Sequence, residues 1–150
     1  MNIHAAGESA GKVWALMREF VEAHNRHGEL ADALGFRLGA GRGKVLFQLR
    51  EGPMTLREIA EANKVDAPYA TLIVDKLEAH GLVVRRPHPD DRRRKLVALT
   101  DAGREAIATA EAILQRSPAA MNVLTAKERK QIAALMQRLL EADAAVVAAD

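Results

Sequence analysis

Six basic side chains fall within eleven consecutive residues, Arg85, Arg86, Arg92, Arg93, Arg94 and Lys95, against two acids, Asp90 and Asp91. The formal net charge of the 150-residue chain is only +2, so this cluster, not the total, is what a polyanion meets. Guanidinium forks of this kind match phosphate oxygens in geometry as well as in charge. Two short β-like runs, Leu82–Arg86 and Leu96–Leu99, flank the cluster, and Pro87, Pro89, Asp90 and Asp91 mark a turn between them. A hairpin with cations at its tip, directly after a helix, has the layout of a DNA-binding wing.

No other set of residues nominates a reaction. Cysteine is absent, which removes disulfides, thiolate catalysis and thiol redox switching. Gly39-Ala-Gly-Arg-Gly43 has the glycine density of a phosphate loop, but no strand precedes it and no Lys-Ser/Thr pair follows; it reads as a flexible joint. His24 and His27 stand three apart without a Cys or an acid at ligand spacing. The chain is therefore expected to be no enzyme, with no catalytic residue, no cofactor and no metal.

The elements that position the basic segment follow from periodicity and caps. Ser9 caps a long first helix whose stripe is Val13, Leu16, Met17, Phe20, Val21 and His24. Gly35, Gly39, Gly41 and Gly43 interrupt it, and a second helix runs over roughly Lys44–Arg50 to Gly52-Pro53. Thr55-Leu-Arg-Glu58 is a capping box that opens a short helix through Ala62. Asn63-Lys64-Val65 turns the chain, and Asp66 caps the next helix, Ala67 to His80, with Pro68 in its first turn. Ala70, Ile73, Val74 and Leu77 face inward, and Gly81 supplies the left-handed stop. Two helices joined by so tight a turn form a helix-turn-helix, and the hairpin follows with no spacer. Thr100 caps a further helix with Ile107, Ala110, Ile113 and Leu114 in a stripe; Ser117-Pro118 interrupts it. Thr125-Ala-Lys-Glu128 is a second capping box, before a helix bearing Ile132, Leu135, Met136, Leu139, Leu140, Val146 and Val147.

The expected fold is mainly α: four helices, a β-hairpin wing and two long C-terminal helices. Residues 1–150 make one domain, with a DNA-binding lobe over 44–99 and a helical dimerisation region over 9–34 and 101–148. The stripes of the terminal helices are wider than one small module needs, so a second copy of the chain is the economical cover. Met1–Ala10 lacks a basic stretch followed by an apolar run, and no apolar stretch approaches about 18 residues. No signal peptide and no membrane partner are expected, and the cytoplasm is the expected location.

Leu56-Arg-Glu-Ile-Ala60, Val74-Asp-Lys-Leu-Glu78, Gly81-Leu-Val-Val-Arg85, Asp91-Arg-Arg93 and Leu99-Thr-Asp-Ala-Gly103, in that order and spacing, resemble the MarR family of bacterial winged-helix transcription regulators. The resemblance runs from about Lys44 to Leu114. It implies a homodimer whose terminal helices interlock and whose two winged modules meet successive grooves of one duplex. It also implies regulation by a small ligand or by oxidation; the lack of Cys argues against a thiol-based peroxide sensor and leaves a small-molecule effector or none.

On this resemblance Arg93 enters the minor groove from the wing tip, with Asp91 holding its guanidinium, an arrangement suited to a narrow, strongly negative groove. Arg92, Arg94 and His88 join the wing surface, and of Arg85 and Arg86 at least one faces the duplex, Arg86 being the one retained as a DNA-binding residue. The Ala67–Leu72 end of the helix-turn-helix enters the major groove. There Tyr69 and Thr71 offer hydroxyls, while Ala67, Pro68 and Leu72 pack, for instance on thymine methyls. Family members more often carry polar or basic residues where this chain has Leu72. Thr55, Arg57 and Lys76 are placed for phosphate contacts. The resemblance implies an effector site between the first helix and the DNA-binding lobe, which nominates Trp14, His24 and His27 as ligand-binding residues. The reading is a sequence-specific regulator of double-stranded DNA, a ligand-responsive repressor that acts as a homodimer on a pseudo-palindromic operator. The alternatives are a nonspecific nucleoid-like DNA binder and a winged-helix module that binds protein.

Overall fold

The structure, a computed structural model, describes residues 9–149, with side chains described through Val146 except that of Ala40. Most of the N-terminal segment in which no signal peptide is expected, and the side chain of Val147, lie outside these residues. The described residues form two compact units, one ending at Arg116 and one beginning at Ser117.

In the first unit the helices are α1 (Ala10–Ala23), α2 (His27–Leu34), α3 (Ala40–Gln48), α4 (Leu56–Asn63), α5 (Ala67–Ala79) and α6 (Asp101–Leu114), and the strands are β1 (Met54–Thr55), β2 (Val83–Pro87) and β3 (Lys95–Leu99). Among the described residues five helices thus precede the hairpin, where the sequence predicts four. The extra break falls at His24–Arg26: the Asn25 amide donates back to the Glu22 carbonyl at 2.7 Å, and its side-chain oxygen accepts from His27 N–H. An Asn that satisfies backbone groups on both sides competes with continuing the helix. Gly39 to Gly43 form no joint either. Gly39, at φ 69°, is the left-handed N-cap of α3, and Gly41 and Gly43 lie within the helix. A Cβ at Gly41 would meet Ile73 of α5 at 3.7 Å, an ordinary packing contact, so this face of α3 lies against α5.

The three strands run in the order β1-β3-β2, antiparallel throughout. β1 is only two residues, pairing Met54 with Val97 and Thr55 with Leu96. β2 and β3 form the hairpin, in register from Val83–Leu99 to Pro87–Lys95. Leu46, Ile59, Val74, Leu77, Val83 and Val97 are fully buried and join α3, α4, α5 and the sheet in one core. α6 adds Ala106, Ile107, Ala110 and Ile113 to it; Leu114, expected in the same stripe, is exposed instead.

The caps form as expected. Ser9, Asp66 and Thr100 accept from the backbone N–H of Lys12, Tyr69 and Gly103, and Thr55 and Thr125 each exchange hydrogen bonds with the Glu three residues on. Thr100 also donates to the Gly81 carbonyl at 2.6 Å, fastening the start of α6 to the end of the α5 segment. Gly103 then lies so close to the Leu82 carbonyl that a Cβ would collide with it.

The second unit holds a 3-10 turn at Ala119–Val123 and α7 (Ala126–Ala149). No side chain described in α7 is buried. None of α1 is buried either, and Trp14, Leu16 and Val21 are 62%, 55% and 68% exposed.

Two stability experiments follow. Gly103→Ala is expected to cost about 1–3 kcal/mol in urea unfolding, because neither α6 nor the Leu82 backbone can move without disturbing the core. Gly28→Ala, on an open face of α2 with nothing near its Cβ, is expected to stabilise by about 0.5–1 kcal/mol. Glu58 is held below its ordinary pKa of 4.5, first by the Thr55 backbone N–H and then by the Thr55 hydroxyl, against a desolvation cost, with weaker attraction from Arg94 and His88. A carboxyl depressed in the folded state stabilises fully above its unfolded pKa and loses that contribution as pH falls through the folded one. Melting curves of Glu58→Gln should therefore fall below wild type near neutral pH and converge on it as pH drops below 4.5.

Candidate nucleic-acid interface

α5 is anchored from inside and open from outside. Ala70, Ile73, Val74 and Leu77 are buried, while Ala67, Pro68, Tyr69, Leu72 and Lys76 are exposed and Thr71 is half-buried. Tyr69 and Leu72 are each 50% exposed, so Leu72 is no core residue. Beside them a cleft of about 230 Å³ separates the start of α3 from α5, lined by Gly41, Arg42, Tyr69, Leu72 and Lys76. Arg42, which sequence reasoning passed over, is held there by the Leu38 carbonyl at 2.6 Å and the Arg37 carbonyl at 3.0 Å. Nothing in its local sequence marks it, because both partners depend on how the chain folds back at Gly39.

The hairpin tip is organised by its own backbone. Asp91 accepts from the Arg93 N–H at 3.0 Å, and its carbonyl accepts from Arg94 N–H at 2.9 Å; His88 N–H donates to the Arg94 carbonyl at 3.0 Å. The ring of His88 accepts at Nδ1 from Asp90 N–H at 3.1 Å, which puts the proton of the neutral imidazole on Nε2. Asp91 therefore stiffens the turn, and among the described residues it makes no ion pair with the Arg93 guanidinium, contrary to the expectation from the resemblance. The reason is reach: a short Asx side chain meets the N–H two residues on before it meets the end of an Arg. Arg92, Arg93, Arg94 and Lys95 are all exposed.

Arg85 and Arg86 part company, as alternation along a strand requires. Arg85 bridges Asp75 at 2.5 Å and Glu78, both on α5, and its backbone N–H donates to Glu78 at 3.2 Å. Desolvation works to lower its pKa and is outweighed by the two carboxylates, which raise it. Arg86 lies in the wall of a cavity with Arg50 and Arg104, not at the wing tip. Neither arginine projects from the tip with Arg92 and Arg93.

Of the phosphate candidates, Arg57 and Lys76 are exposed, Arg57 in an ion pair with Glu61 at 2.7 Å. Thr55 is buried and its hydroxyl is engaged with Glu58, so it has nothing to offer a phosphate. The proposed ligand residues do not converge. Trp14 projects from α1, the His24 ring sits against Phe20 and bonds its carbonyl at 2.8 Å, and His27 begins α2. None of the three lines a described cavity. His80, at the end of α5, stacks on Phe36 with ring centroids 3.9 Å apart.

Comparison with known proteins agrees with this geometry. Residues 40–95 match the MarR family. The HTH-type transcriptional repressor NicR of Pseudomonas putida is 34% identical over 93 residues, covering 61% of this chain and 59% of that protein. The HTH-type transcriptional repressor MdtR of Bacillus subtilis is 33% identical over 97 residues, covering 62% of this chain and 61% of MdtR. The chain thus spans about three-fifths of the length of these relatives. Among solved structures, wild-type apo MarR from E. coli superposes with a TM-score of 0.66 over 88% of this chain and 97% of its own, at 24% identity, which speaks for the fold. The likeness to the MarR family thus rests on residues 40–95 and on relatives matched over about three-fifths of their length, and the solved structure shares the fold.

Proposed function

We propose that this chain is a sequence-specific DNA-binding transcriptional regulator, without enzymatic activity, that acts as a homodimer and as a ligand-responsive repressor on a pseudo-palindromic operator. One observation carries the reading. The open half of α5 and the cationic wing tip belong to one module tied by Arg85, and Arg92, Arg93, Arg94 and Lys95 make no ion pair among the described residues. Cations held in no ion pair are free to displace counterions from a duplex. In this reading α5 enters the major groove with Tyr69, Thr71 and Leu72 against base edges, and Arg93 reaches the adjacent minor groove.

The homodimer rests on apolar surface. α1 and α7 expose large side chains along one stripe each, among them Trp14, Val21, Leu135 and Leu140, and a second copy offers matching stripes. That NicR and MdtR are both named as repressors supports the same direction of regulation here. Nonspecific duplex binding is the second reading, favoured by the apolar character of Pro68 and Leu72 on the outer face of α5.

Selection of duplexes from a random library at about 150 mM salt tests the proposal. The expected result is an enriched inverted repeat with half-sites about 34–36 Å apart. Arg93→Ala is expected to weaken binding about tenfold or more, on the order of 1–3 kcal/mol. Binding without enrichment selects the nonspecific reading. In sedimentation the wild type is expected to run as a dimer at micromolar concentration and Leu139→Lys as a monomer; a monomeric wild type overturns the assembly.

A further inference from the structure

The cleft between the start of α3 and the outer face of α5 brings together Arg42 from one helix and Tyr69 and Lys76 from the other. Arg42 is half-buried, and the Leu38 and Arg37 carbonyls fix its guanidinium without neutralising it. Gly39 makes room for this pose, since a Cβ there would crowd the guanidinium at 3.1 Å. The Tyr69 hydroxyl stands against the other wall, 3.8 Å from the place a Cβ of Gly41 would take. Lys76 follows Tyr69 by about two turns of α5, on the same face. Arg42 and Lys76 make no ion pair among the described residues, and no described acid lines the cleft.

Two cations and a hydroxyl without an acid call for an anion. At about 230 Å³ the cleft is smaller than the sites of about 300–1,000 Å³ that enclose organic ligands. Its place in the module says where an anion comes from. A helix is about 10–12 Å across and the major groove of a duplex about 12 Å wide. A helix seated there fills the groove, so a second helix beside it meets the groove wall, which is sugar and phosphate. α3 stands in that position, packed on α5 at Gly41 and Ile73.

We propose that this cleft seats one phosphodiester of the strand that borders the groove occupied by α5, with Arg42 as the fixed contact. The inference rests on the DNA reading and adds to it a residue outside both α5 and the wing. The ring of Tyr69 meets base edges while its hydroxyl donates to the phosphate, and Lys76 adds charge. Because two carbonyls already hold the Arg42 guanidinium, the rotamer freedom that such a contact removes is absent from the free protein. Arg92, Arg93 and Arg94 lie exposed on a turn and adapt to the duplex; Arg42 does not, so it sets where α5 stops along the groove. A phosphate contact carries no base identity, and Arg42 therefore positions the module without choosing the sequence.

The test is duplex affinity of the full chain between about 50 and 200 mM salt, with the duplex recovered by selection or, failing enrichment, a random duplex of equal length. Arg42→Gln is expected to bind about tenfold more weakly, to flatten the slope of log affinity against log salt by about one per subunit, and to select the same sequence. Gly41→Asp brings an anion into the cleft. Its Cβ meets only ordinary contacts, and the first turn of α3 has no acid yet, so the melting temperature is expected to hold or rise while duplex affinity falls. Damage to the fold does not produce that pair of results. Inorganic phosphate titrated into the free protein is expected not to saturate; saturable binding lost in Arg42→Gln makes the cleft a free-phosphate site and overturns the duplex assignment. Wild-type affinity and slope in Arg42→Gln overturn the contact, and so does weaker binding with lowered melting and an unchanged slope, which makes Arg42 a strut only. Arg93→Ala separates the two failures: if it weakens binding and Arg42→Gln does not, the DNA reading stands and this contact falls, whereas a wild type that binds no duplex overturns both.

Discussion

Arg85 makes the wing and α5 one body. A guanidinium on a β-strand beside a helix is costly to desolvate, and it stays because two carboxylates meet it at once. Asp75 and Glu78, three apart and so on one face of α5, both reach it, and Glu78 holds its backbone N–H as well. Hydrophobic contacts alone fix distance between a helix and a strand but leave sliding soft. A forked ion pair with a shared main-chain bond fixes the register. Where the tip of the hairpin stands relative to the outer face of α5 is set by this triad and by the Val83–Leu99 pairing at the base of the hairpin.

Local features were the ones legible in sequence. Ser9, Thr55, Asp66, Thr100 and Thr125 each cap a helix by bonding an N–H three residues on, so residue type and spacing suffice to read them. The inward positions of α5 were legible for the same reason. What failed depended on distance or on competition. The break at Asn25 is a contest between helix continuation and one side chain, and the apolar stripe runs through it undisturbed. β1 is too short to show alternation; it exists because β3 presents an open edge.

The interface was half legible. The cationic character of the wing tip and the exposed residues of α5 could be read from the chain. The fate of each cation could not, because that depends on which neighbour arrives from elsewhere. Arg85 is spent on α5, Arg86 turns to the cavity, and Asp91 serves the backbone. Thr55 illustrates the general difficulty: the same hydroxyl that is ideal for a phosphate is ideal for a capping box, and burial decides between them.

The sheet order β1-β3-β2 leaves β2 as an outer strand, and an unprotected outer strand is a template on which other chains can extend a sheet. Here the template is blank. Arg85 and Pro87 occupy the same side of the strand; the N–H of Arg85 is already bonded to Glu78, and Pro87 has none to give. The composition that makes this hairpin cationic also denies its outer edge to aggregating strands, because an arginine whose N–H is already bonded and a proline that has none give an incoming strand little to pair with.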